Sequence, residues 1–173
     1  MAWNETEHPR DDSGQFTNKD GIREYRQNTS YSEILADDKA KAESEKKIDK
    51  VHIDISKDNV LPQLTEKALR EMGLTKNKNV LVKKSSIDRN LIKHSDVKPE
   101  QFDFLIGNTL YSPDRITKGK NEKGTYFSFT KRLTISDRGN VLHGVVLLDV
   151  TMNKEQFEVV HWHFVKEKGL KSI

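Results

Sequence analysis

The sequence predicts an α+β fold, with helices packed on one face of a roughly four-stranded antiparallel sheet and a disordered linker in front. Apolar residues between about 58 and 106 recur at helical spacing. After 124 the chain turns to long aromatic and β-branched runs split by polar turns. Residues 1–50 show neither pattern and are mostly polar.

Residues 1 to about 30 are rich in Asn, Asp, Gly, Thr and charge, with Trp3, Phe16, Ile22 and Tyr25 standing singly, which reads as a linker or tail. From Ser32 to Lys50, "SEILADDKAKAESEKKIDK" holds strong helix formers but almost no apolar stripe, so a solvated or frayed helix is expected. The tail is therefore assigned to 1–50, partly helical, and the folded domain to 51–173, with its core over about 79–168. "VHIDI" alternates Val51, Ile53 and Ile55 against His52 and Asp54, the pattern of a half-buried strand. Asp58 or Asn59 is placed to cap a helix reaching about Met72, with Leu61, Leu64, Ala68, Leu69 and Met72 as its stripe and Gly73 ending it. "NVLVKK" reads as a short strand. Ser85 or Ser86 would cap "IDRNLIKHS", burying Ile87 and Leu91, with Ile92 a weaker third member. Pro99 opens a helix through Ile106 whose apolar side is Phe102, Leu105 and Ile106. The strands "TYFSFTKR", "NVLHGVVLLDVT" and "FEVVHWHFVK" follow, joined by "GKNEKG", "SDRGN" and "TMNKEQ", of which "SDRGN" is the clearest hairpin signal.

Charge and composition bound the function. The chain has 173 residues and no cysteine, which removes disulfides, thiolate metal sites and a thiol nucleophile, and is compatible with a reducing cytosol. No apolar run approaches the roughly 18–20 residues that span a bilayer, and the N-terminus lacks the basic-then-apolar order of a secretory signal, so a soluble chain with no membrane partner is expected. Residues 1–50 hold 9 Lys and Arg against 12 Asp and Glu, whereas 51–173 hold 21 against 15. A basic domain behind an acidic leader suits a polyanion such as nucleic acid, although lysine-rich solubility explains the same charge.

The last strand is the most informative segment. Residues two apart share a strand face, so Val160, Trp162 and Phe164 supply core while Val159, His161, His163 and Val165 lie opposite. Two imidazoles on one face each need hydrogen-bond partners, which makes them a poor core solution. They are candidates for general acid/base work, with incidental surface histidines as the bland reading. A metal pair is a third reading, but nothing in the strand completes a ligand set, and neither metal nor cofactor is expected. His94 closes the helix that carries Asp88, Arg89 and Lys93. It is the third catalytic candidate, although dipole stabilisation at a helix C-terminus would explain it equally. His143 shares a face with Val141, Val145 and Leu147 and reads as structural, and His52 and His8 have no chemical context. In "YFSFTKR", the hydroxyls of Ser128 and Thr130 share a face with Tyr126 and Arg132, and Lys131 shares the other with Phe127 and Phe129. Arg89, Lys93, Ser128, Thr130 and Lys131 are the candidates for holding phosphate, against the plain reading of a wet sheet face. Metal-free RNA cleavage needs a base for the 2′-hydroxyl, an acid for the leaving 5′-oxygen and cations around the phosphorane, and these residue types meet that need.

Two stretches carry a family resemblance. "EHPRDDSGQFTNKDG" with "EYRQNTSYSEIL" resembles a segment of phage head-morphogenesis (MuF-type) proteins and phage-borne polymorphic toxins, where it joins a capsid-associated part to a C-terminal effector. "LVKKSSIDRNLIKHSDVKPEQFDFLIGNTLYSPDRI", the strands after it and "FEVVHWHFV" are similar to phage members of the barnase–EndoU–colicin–RelE nuclease superfamily. That resemblance implies a metal-independent ribonuclease toxin acting on RNA such as tRNA or mRNA in the bacterial cytoplasm. It also implies an immunity or antitoxin protein as partner, while the MuF-type stretch implies association with a phage capsid. By position, His94 with Arg89 and Lys93 matches the family's basic helix, and His161 and His163 fall on its terminal strand. A complete Glu–Arg–His set of the barnase kind cannot be picked out. A non-catalytic RNA- or protein-binding module on the same fold is the first rival. A hydrolase or transferase acting on a nucleotide or on protein is the second, weakened by the lack of a glycine-rich phosphate loop.

Overall fold

The computed structural model describes residues 31–122, 124–135, 140–151 and 154–166. The expected linker over residues 1–30, the centre of the "SDRGN" hairpin and parts of the other two connectors lie outside the described residues. The chain falls into two compact units, 1–40 and 41–173. Helix α1 (Tyr31–Asp49) runs through that boundary. In the first unit its Leu35 is exposed, as befits a helix without an apolar stripe. In the second unit its last turns dock: Ile48 packs on the core, and Lys47 Nζ donates to the carbonyls of Gln63 and Leu64. These contacts tie the last turns of α1, in the stretch that polar composition assigns to the tail, to the rest of the second unit.

The next segment departs from expectation. "VHIDI" buries Val51 but forms no strand, because side chains take its backbone N–H groups: Asp103 accepts from Ile53 and Asn59 from Asp54. The buried Asn59 also donates to the carbonyls of Asp54 and Lys57, closing a turn that feeds strand β1 (Asn59–Leu61). Pro62 biases Leu61 toward extended backbone, so the expected helix shrinks to α2 (Glu66–Glu71), capped by the Thr65 hydroxyl. Gly73 follows it with φ +72°, the left-handed stop expected of it. After β2 (Val80–Val82), α3 (Lys84–Lys93) is capped from a distance: Asp58, not Ser85 or Ser86, accepts from the Lys84 N–H. Ile87 is fully buried there, whereas Ile92 is 82% exposed.

A 3-10 turn (Pro99–Gln101) leads into α4 (Phe102–Tyr111), followed by β3 (Arg115–Asn121), β4 (Gly124–Ile135), β5 (Asn140–Asp149) and β6 (Phe157–Lys166). The fold is α+β. Its sheet has six strands in the order β1-β2-β6-β5-β4-β3, antiparallel except where β2 meets β6. The three strands expected after residue 124 are β4, β5 and β6, and the expected short strand "NVLVKK" is β2; β3, whose last residues read as a connector, and the three-residue β1 bring the sheet to six. Helix α4 covers one face, burying Phe102, Leu105, Ile106 and Leu110 with Phe127, Phe129, Val146 and Trp162. The approach is close: a Cβ on Gly144 of β5 would lie 2.3 Å from Thr109 Oγ1 and 2.7 Å from Leu105 Cδ1.

Strand β6 carries one correction. Its register slips at a bulge: His161 lies opposite Leu147, and Val159 opposite Leu148, leaving Val160 over. The phase resets, so Val159 belongs to the core (1% exposed) and Val160 does not. Trp162 stays fully buried, with its ring edge-on to Phe102 at 5.3 Å, and His161 and His163 flank it on the opposite side of the strand.

Candidate functional site

Strand β2 reaches only Phe157 and Glu158 of β6. Beyond them α3 takes over the open edge. The buried Asn90 Oδ1 accepts from the Trp162 N–H at 3.0 Å, and the Arg89 guanidinium donates to the Val160 carbonyl at 3.3 Å. This edge-on seat brings the end of α3 to the face carrying the two strand histidines. His94 Nε2 lies 2.9 Å from His161 Nε2, although the residues are 67 apart in sequence. The His94 and His163 rings stack at 4.8 Å with 12° between planes, and His161 and His163 meet at 4.8 Å and 62°. All three histidines singled out from the sequence therefore form one cluster.

Electrostatics hold part of that cluster neutral. Burial, then charge repulsion from the His163, His94, Lys93 and Arg89 side chains, pushes His161 down to about 4. Burial also lowers His163, with His94 adding to the shift and Asp96 opposing it. The Nε2–Nε2 contact needs one nitrogen with a proton and one with a lone pair, so it is made by at least one neutral ring. One ligand nitrogen from each ring lies within 4.8 Å of the other two, so these residues could also hold a metal ion.

Two cavities meet at His161. The larger, of about 870 Å³, runs between α3 and the β3–β4 end of the sheet, and Lys83, Arg89, Lys93, Lys120 and Lys154 line it. Lys83 and Lys154 are committed to Glu158, and Lys154 also to Asp149. Among the described residues no carboxylate pairs with Arg89, Lys93 or Lys120, which leaves their charge for an anion. The smaller cavity, of about 400 Å³, is lined by Tyr126, Ser128, Val145, Leu147 and both strand histidines. The Ser128 Oγ in it is buried without a partner among the described residues.

The phosphate candidates divide. Arg89 and Lys93 line the large cavity and Ser128 the small one. Thr130 is buried, with its hydroxyl donating to the Arg115 carbonyl, and lines neither. Lys131 lies on the helical face, where Ser112 and Asp114 hold its ammonium, so it does not join the cluster. His143 is buried on β5, and His52 is exposed beside the Asp103 carboxylate at 3.6 Å. Sequence reasoning missed Lys83, Lys120 and Lys154, and named Tyr126 only as a neighbour of Ser128 on its strand face. Lys120 and Lys154 sit in the stretches "GKNEKG" and "TMNKEQ", read as mere connectors, and only sheet closure shows that both border one cavity.

No described helix is long and apolar enough to cross a membrane. Neither the curated proteins nor the solved structures yield a match. Residues 37–173 match the family model described as "Large polyvalent protein-associated domain 13", which fits a phage-associated module. With most of its length inside that match, the chain belongs to the large polyvalent protein-associated domain 13 family.

Proposed function

We propose that this domain cleaves RNA at a phosphodiester seated where the two cavities meet. The observation that carries the reading is the position of His161, which borders both cavities and touches His94 and His163. One imidazole takes the 2′-hydroxyl proton as that oxygen attacks the adjacent phosphorus. The bond from phosphorus to the 5′-oxygen breaks, and a second imidazole, carrying its extra proton before the attack, gives that proton to the leaving oxygen. The products are a 2′,3′-cyclic phosphate and a 5′-hydroxyl, formed without metal. His161 and His163 share the two proton transfers, with His94 as the third member. Arg89 and Lys93 hold the non-bridging oxygens, where charge gathers in the transition state. DNA lacks the internal nucleophile and is not a substrate.

A helical layer on one sheet face and reactive groups on the other support kinship with the barnase–EndoU–colicin–RelE nucleases. Under that reading the domain is a phage-borne toxin that acts in the bacterial cytoplasm, is restrained by an immunity protein and is carried with the capsid. The test is purified chain incubated with total RNA in EDTA, with the ends of the products analysed. Cleavage to cyclic phosphates under chelation is the expected result. Salt-sensitive RNA binding without such ends would make the domain a non-catalytic RNA-binding module.

A further inference from the structure

We infer that His94, His161 and His163 form a binding site for one divalent transition-metal ion of the zinc class, with three imidazole ligands and an open position toward the cleft. In a tetrahedral zinc site with Zn–N distances near 2.0–2.1 Å, ligand nitrogens stand about 3.4 Å apart. Here one pair is already at 2.9 Å and all three nitrogens lie within 4.8 Å of one another, so small ring rotations close the set. The three ligands come from two anchored elements. His161 and His163 sit on the ladder with β5, and α3, which His94 ends, is pinned to β6 through Asn90. The buried His163 Nδ1 has no hydrogen-bond partner among the described residues, and a bound cation is one way to satisfy such an atom. Nitrogen-only ligands favour zinc, copper, nickel or cobalt over magnesium and calcium, which prefer oxygen. With His161 bordering both cavities, the fourth position opens where an anion would sit.

This ion regulates the site, a role that rests on the cleavage reading above, whereas binding itself does not. A metal held by all three rings occupies the lone pairs that proton transfer needs, so zinc blocks cleavage and a chelator restores it. The test uses untagged, metal-stripped full chain titrated with Co²⁺ and followed by visible absorption, then with Zn²⁺ in competition. One equivalent giving the intense bands of tetrahedral cobalt, displaced by Zn²⁺, is expected. His94→Ala, His161→Gln and His163→Ala should each weaken binding at least tenfold while keeping native circular dichroism, and His52→Ala should change nothing. No saturable binding, or equal binding by all variants, would overturn the site. If one equivalent of Zn²⁺ leaves cleavage untouched, the regulatory role fails. If cleavage requires Zn²⁺, the metal-free mechanism and the blocking role both fail while the site stands.

Discussion

A neutral imidazole in a cationic cleft is poised to accept a proton and poorly suited to stabilise a core. His161 and His163 are both lowered by burial, and both lie across the strand from the fully buried Trp162. Replacing the pair by alanine should therefore abolish RNA cleavage, a loss of at least about 10³-fold for an acid and a base together. Melting should barely move, because no core side chain is removed. Collapse of the near-ultraviolet circular dichroism in that variant would instead assign the rings a packing role. Asp149 is the opposite kind of residue. Burial raises its pKa, but hydrogen bonds from Lys154 and Thr151, together with the Lys154 charge, more than offset this and hold it below the usual carboxylate value of 3.8. Folding favours its ionised form, so its contribution is full above that value and fades as pH falls through the lower folded one. Asp149→Asn should cost about 1–3 kcal/mol near neutrality. The gap in melting temperature from the parent should close below about pH 4, the ordinary range of a free carboxylate. A gap that persists unchanged at pH 3 would show that charge is not what Asp149 supplies.

At the scale of elements, the cluster depends on α3 replacing a strand. Asn90, 2% exposed, bonds the Trp162 N–H where a neighbouring strand would have supplied a carbonyl. Asn90→Ala strands that buried donor, at a cost of about 1–3 kcal/mol, and loosens His94 from His161. Stability and RNA cleavage should fall together. A variant less stable yet fully active would show that His94 is dispensable for the reaction. The same joint marks the limit of what alternation reveals. Two-residue spacing placed His161 and His163 on one face and Trp162 on the other, since that holds within three consecutive residues. It could not place Val159 and Val160, because the bulge between them is a matter of register with β5, while the freed Val160 carbonyl finds its partner in the distant Arg89. In the same way, "VHIDI" alternates like a strand, yet tertiary partners, Asp103 and Asn59, claim its N–H groups first. Local pattern chose the faces; distant side chains chose the pairings.

Across the whole molecule, counting residues reveals an excess of positive charge but not its address. Arg89, Lys93, Lys120 and Lys131 look alike in a charge count. Sheet closure sends the first three to the cleft and leaves Lys131 on the helical face beside Asp114. Association with single-stranded RNA should follow that partition. Each phosphate neutralised contributes about −0.7 to the slope of log K against log salt, so three cations without a carboxylate partner among the described residues predict a slope near −2. Lys120→Ala should make it shallower by about one contact without changing the melting temperature, because Lys120 is exposed and lies on an edge strand. Lys131→Ala should leave the slope alone, its ammonium being held by Ser112 and Asp114 on the far face. Titrations on a fluorescent single-stranded RNA from low to physiological salt measure both variants directly. Equal effects of the two would mean that the polyanion sees only net charge and that the cleft does not bind it. A selective effect of Lys120 would put the phosphate backbone against the same wall that His161 borders.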